Sequence, residues 1–194
     1  MNMPTRKQQR VTTPFIGKNV PVITALYALS FVAANWYAAR GQLELTEYVA
    51  SSYGYSLTVP TGISGYIVTL IVSALTSFVV CELVMKIYYF FAYRYMRGLL
   101  PFSVKEFKCN LRPFLAVKNV ALGLLSLLCL TEDGYFIVFG LNMFDMLLTM
   151  ITIFPFYFYM KKRYIADGYG GRVLVAFAVP FIVFNAITYV TLLV

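Results

Sequence analysis

The sequence contains no histidine. That removes the commonest general base, the usual near-neutral pH switch and the commonest metal ligand. There are three cysteines, Cys81, Cys109 and Cys129, with no C-x-x-C spacing. A thiol redox motif and a zinc site are therefore not expected, and an odd number excludes a complete disulfide framework. Charge is scarce at 12% of residues, about half the share of a soluble domain. Negative charge is scarcer still, with 8 acidic residues against 16 basic ones. The basic residues cluster in short segments between apolar runs, which is the pattern that orients membrane spans. The adjacent acids Glu132 and Asp133 fall on an expected external turn, with no histidine to serve a nucleophile. What is abundant is apolar surface. Hydrophobic residues make up 60% of the 194, and mean hydropathy is +0.74. A soluble enzyme, a disordered chain and a nucleic-acid-binding domain are excluded. An integral membrane protein remains.

A span needs about 20 mainly apolar residues to cross a hydrocarbon core roughly 30 Å thick. Five such stretches are present, at about 20–39, 63–84, 114–130, 135–160 and 173–194. Four spans plus a re-entrant segment is the alternative count. The second stretch stays apolar to about Tyr93, so its excess is expected to tilt or to lie at the interface. The third is short and carries Lys118 near its expected first turn. The expected fold is an all-α polytopic bundle of about five transmembrane helices with one cytoplasmic amphipathic interfacial helix. Residues 1–19 form a basic tail and 20–194 a single transmembrane domain. The first stretch reads as a retained anchor. It is longer than a signal-peptide core, and no clear A-x-A site follows.

Charge placement orients this path. Fifteen of the sixteen basic residues fall on one side of an alternating five-span route, Arg40 being the exception. The positive-inside rule then places the N-terminus in the cytoplasm and the C-terminus outside or in a lumen, with a cell (inner) membrane favoured. Cys81 and Cys109 would lie toward the reducing side. Aromatic clusters, Tyr88–Tyr95 and Phe154–Tyr159, sit where interfacial anchors are expected.

Two segments offer function. Ser103-Val104-Lys105-Glu106 has the form of a capping box, with Phe102 and Phe107 at staple positions. Val104, Phe107, Leu111 and Phe114 follow helical spacing, while Lys105, Lys108 and Arg112 take other faces. This predicts a short amphipathic helix in the inner headgroup layer, ended or kinked by Pro113. Lys105, Phe107, Lys108, Leu111 and Arg112 are the candidate contacts for a partner or for anionic lipid. The second segment is a polar stripe inside the fourth span. Asn142, Asp145, Thr149 and Thr152 follow i, i+3, i+7, i+10 and share one helix face. Asp145 lies about 15 Å into that span, near the midplane, where carboxyls face a bundle interior or water. Ser73, Thr76 and Ser77 in the second span, and Asn185, Thr188 and Thr191 in the fifth, are candidates for the same seam. The stripe could line a path or serve as hydrogen-bonded glue between helices. Glu82 reads as the partner of Lys86, four residues on. The glycine-rich stretch Asp167–Arg172 lacks the Lys-Ser/Thr of a phosphate loop and reads as a tight turn. Alanines and serine in the first span (Ala25, Ala28, Ser30, Ala33, Ala34, Ala38) would admit a close helix neighbour.

The pattern resembles the Yip (Ypt-interacting protein) class of five-span membrane proteins. The resemblance lies in the basic-glycine turn Arg97-Gly98 with Phe107 beyond it, in Pro113 entering the third span, and in Gly171-Arg172-Val173-Leu174 leading to Pro180. It covers about residues 62–194 and implies a membrane-organising or adaptor protein. The function expected from the sequence is a non-enzymatic adaptor or assembly factor working through its cytoplasmic basic face. Its partners would be the lipid bilayer and a membrane or cytoplasmic protein, with no cofactor, no metal and no catalytic residue. The alternative is a small transporter, or the membrane subunit of one, built around Asp145.

Overall fold

The computed structural model describes residues 14–54, 62–96, 100, 102–129, 134–164, 171–172, 174–176, 178–180, 182–183 and 187. Among these the fold is all-helical, with no strand. The elements are α1 (Pro14–Asn35), α2 (Ala38–Ser52), α3 (Ile63–Tyr95), α4 (Val104–Leu125) followed by a 3-10 turn (Ser126–Cys129), and α5 (Gly134–Tyr164). The stretch expected as a fifth span lies largely outside the described residues, as does most of the Asp167–Arg172 turn.

Among the described residues three helical segments are long and apolar enough to cross a membrane: Ile63–Tyr95, Val104–Leu128 and Phe139–Lys162. A fourth arises if Asn19–Asn35 and Ala38–Ser52, bent by 47° at their break, form one span. Exposed side chains carry the same message. On α3, Ile67, Ile71, Leu75, Val79 and Leu83 recur every fourth residue and are all exposed. A ridge of that kind is a liability in water and the ordinary outer face of a helix in lipid.

The α3 helix begins after Gly62, whose φ of +95° is open to glycine and strained for other residues. The α4 helix begins at the expected capping box. Ser103 Oγ accepts from the Glu106 amide at 3.2 Å, and the Ser103 amide donates to Glu106 Oε2 at 2.8 Å. The separate interfacial helix expected before Pro113 is corrected. From Val104 the helix runs unbroken through Pro113 to Leu125. Proline removes one backbone bond, but Phe107, Leu111, Leu115 and Leu122 are buried along the whole length of α4, and that packing holds the helix together.

Helix α1 packs chiefly on α4, α2 on α5 and α3, and α4 on α5. The small residues of α1 serve as expected. A Cβ at Gly123 would run into the carbonyl oxygen of Ala33, so only glycine lets the two backbones approach this closely. The main core joins Tyr27 and Phe31 of α1, Met85 of α3, Phe107 and Leu111 of α4, and Phe156 and Met160 of α5. The rings of Phe107 and Phe156 meet edge to face, 5.6 Å apart. A smaller core holds Ala34, Tyr37, Leu122, Ile137 and Leu141 around the α1–α2 break.

The aromatic clusters divide between two roles. Phe90, Phe91, Tyr93, Tyr95, Phe154 and Phe158 are exposed, as anchors would be. Tyr88, Phe156 and Tyr157 are buried, and Tyr89 donates to the Phe102 carbonyl at 2.8 Å.

Candidate functional site: an ion pair in an interhelical cavity

Asp145 is not alone at its depth. Lys118 of α4 makes an ion pair with it from across the helix interface. The Lys118 side chain is 10% exposed and the Asp145 side chain 42%. This corrects the expectation that no basic residue lies at the depth of Asp145, which follows from a third span starting near Phe114 with Lys118 in its first turn. With α4 starting at Val104, Lys118 lies well inside the helix, level with Asp145.

The pair forms part of the wall of a cavity of about 340 Å³ lined from each of α1 to α5. Its polar lining includes Asn35 and Gln42 from either side of the α1–α2 break, Ser77 from α3, and Asn119 from α4. Val80, Val84, Met85, Leu115 and Leu122 make much of the rest. Most of the polar groups are tied to a neighbour. Asn35 Nδ2 donates to the Phe31 carbonyl at 2.8 Å, and its Oδ1 accepts from Ser77 Oγ at 3.4 Å. Ser73 Oγ donates to Gln42 Oε1 at 2.5 Å. Asn119 Nδ2 donates to Ser30 Oγ at 3.0 Å.

Of the expected stripe, Asn142, Asp145 and Thr149 line this cavity. Thr152 instead bonds the Leu148 carbonyl of its own helix at 2.6 Å. Ser73 and Ser77 join the seam, while Thr76 faces outward. Asn185, Thr188 and Thr191 fall outside the described residues.

The break between α1 and α2 is braced on both sides. Trp36 Nε1 donates to the Gly123 carbonyl at 3.2 Å, and the Tyr66 hydroxyl donates to the Trp36 carbonyl. A backbone carbonyl released where a helix breaks thus finds a donor inside the protein.

A second charged cluster lies toward the other end of the bundle. Glu82 accepts from Lys108 Nζ at 2.6 Å and from Arg112 Nη2 and Nε at 3.0 and 3.1 Å. This corrects the expected Glu82–Lys86 pair. Arg112 also donates to Thr24 Oγ1 at 3.0 Å, and its guanidinium lies 5.7 Å from the centroid of the Tyr27 ring. One arginine therefore ties α1, α3 and α4 together.

The candidate partner contacts are redistributed accordingly. Phe107 and Leu111 are 0% and 1% exposed and belong to the core. Lys108 and Arg112 brace Glu82, and Lys105 is exposed. Of the face that helical spacing assigns as apolar, the chain's own helices cover Phe107 and Leu111, while Val104 is exposed.

Cys81, on the cavity wall, and Cys109 are free thiols. Among the described residues no three His, Cys, Asp or Glu side chains come together as a metal site would require. Set against family models, curated proteins and solved structures, the chain matches none of them.

Proposed function

We propose that this chain is a small multi-pass membrane protein that admits a small polar solute to the cavity beside the α1–α2 break. It would act as a transporter or as the membrane subunit of one, without catalytic residues or a cofactor. The observation that carries this reading is the Lys118–Asp145 pair in the cavity wall. Ionisable side chains at membrane depth are costly and belong to interiors, solute paths and relays. The break adds support. Membrane carriers commonly place their solute sites where a spanning helix is interrupted, and irregular backbone is tolerated at that depth only inside protein or beside a polar cavity. Orientation is part of the proposal: the basic residues around the Glu82 end favour that end as cytoplasmic. Of the contacts expected for an adaptor, Phe107 and Leu111 lie in the core and Lys105 is exposed.

Labelling tests the cavity directly. With the three native cysteines replaced, Ser77→Cys and Leu75→Cys are made singly and treated in membrane vesicles with a small hydrophilic thiol reagent. Thiols react as thiolates, which need water to form. Position 77 on the cavity wall is expected to react, and position 75 on the lipid-facing ridge to stay silent. Equal silence at both positions overturns the proposal.

A further inference from the structure

We infer that the solute is a zwitterion with an apolar body, of the kind represented by an α-amino acid with an aliphatic or aromatic side chain. This inference rests on the proposed solute site and goes further, to the chemistry the site selects.

The charges of the cavity wall decide the class. Lys118 and Asp145 supply one positive and one negative group in contact. A lone anion that took Lys118 from Asp145 would leave that half-exposed carboxylate without its counter-charge. A lone cation would strand the Lys118 ammonium in the same way. An unpaired charge out of water is the costliest outcome at such a site. A molecule with an ammonium and a carboxylate on one carbon exchanges a single ion pair for two and strands nothing. Its carboxylate takes Lys118 and its ammonium takes Asp145.

The remaining groups favour the same class over an uncharged polar solute. Asn119 is engaged with Ser30, Gln42 with Ser73, and Asn35 with Phe31 and Ser77. Asn142 and Thr149 add an amide and a hydroxyl to the wall, but Lys118 and Asp145 are the charged groups in its lining, and a solute carrying both signs is the one that uses them. Beside it, Val84, Met85 and Leu115 offer an apolar surface for a side chain. A volume of about 340 Å³ lies at the small end of the range of about 300–1,000 Å³ typical of ligand pockets, which suits a single small molecule.

The test uses the full chain in lipid nanodiscs. Binding of tritiated L-leucine is measured, then competed with 4-methylpentanoate, which lacks the ammonium, and with 3-methylbutylamine, which lacks the carboxylate. Leucine is expected to bind, and each analogue to compete about 30-fold more weakly or worse. Lys118→Met/Asp145→Leu, which leaves no unpaired charge, is expected to lose binding. Should that variant fail to fold, the analogue series on the natural chain decides alone. An analogue that competes as well as leucine overturns the inference. So does absence of binding by leucine, methionine, phenylalanine and valine up to about 10 mM, far weaker than a specific site requires. If position 77 still reacts with the hydrophilic reagent in that case, the solute site stands and only the zwitterion falls. If position 77 is silent as well, both fall.

Discussion

Replacing Asp145 by Asn is expected to destabilise the protein by about 3 kcal/mol and Lys118 by Met by about 1 kcal/mol, whereas Lys118→Met/Asp145→Leu is expected to return within about 1 kcal/mol of the natural chain. Taking one member from a partly buried pair leaves the other charge uncompensated. Taking both removes the desolvation cost together with the attraction. Lys118, at 10% exposed, has little solvent to fall back on, while Asp145, at 42%, retains some. Asp145→Asn, which strands the ammonium, should therefore be the more damaging single change. Equilibrium unfolding in mixed micelles measures all three variants. Losses that simply add in the double variant would mean that the two side chains do not act as a pair.

The second large effect is expected at Glu82. Glu82→Gln leaves Lys108 and Arg112, 13% and 17% exposed, facing each other without a counter-charge. A loss of about 3–5 kcal/mol is expected, as for other buried pairs broken from one side. Lys108→Met should cost much less, because Glu82 keeps Arg112. Arg112→Lys should not substitute for arginine. A lysine is a point charge, and it cannot reach Glu82 and Thr24 at once as the planar guanidinium does. Thermal unfolding of the three variants gives the order directly. A Glu82→Gln protein as stable as the natural chain would refute the bracing role of this cluster.

How much of this was legible in the sequence depends on the range of the interaction. The capping box was readable because Ser103 and Glu106 are three residues apart and satisfy each other locally. The cavity stripe was readable because Asn142, Asp145 and Thr149 share one turn-to-turn face. Pro113 misled in the other direction. Its local preference is to end a helix, and only the buried residues on both sides of it, covered by α1 and α5, carry the helix through. A helix ended at Pro113 would leave a short span after it, with Lys118 near an interface. With the correct start, Lys118 and Asp145 stand 27 residues apart, Lys118 seven residues before the end of α4 and Asp145 eleven after the start of α5. Two antiparallel helices bring such positions to the same depth. Hairpin symmetry was therefore the available signal for the pair. The α1–α2 break left no comparable trace. Trp36 and Tyr37 are neither proline nor glycine, and the bend is held by Tyr66 and Gly123, which are remote in the chain.

The central claim is that solute passes through a site governed by Lys118 and Asp145, and uptake into proteoliposomes tests it most directly. Vesicles containing the natural chain or Lys118→Met/Asp145→Leu would be exposed to a labelled mixture of small metabolites and their contents compared. The natural chain should load at least one solute that the double variant does not, while both proteins remain folded. Identical contents in the two sets of vesicles, whether loaded or empty, would contradict the claim.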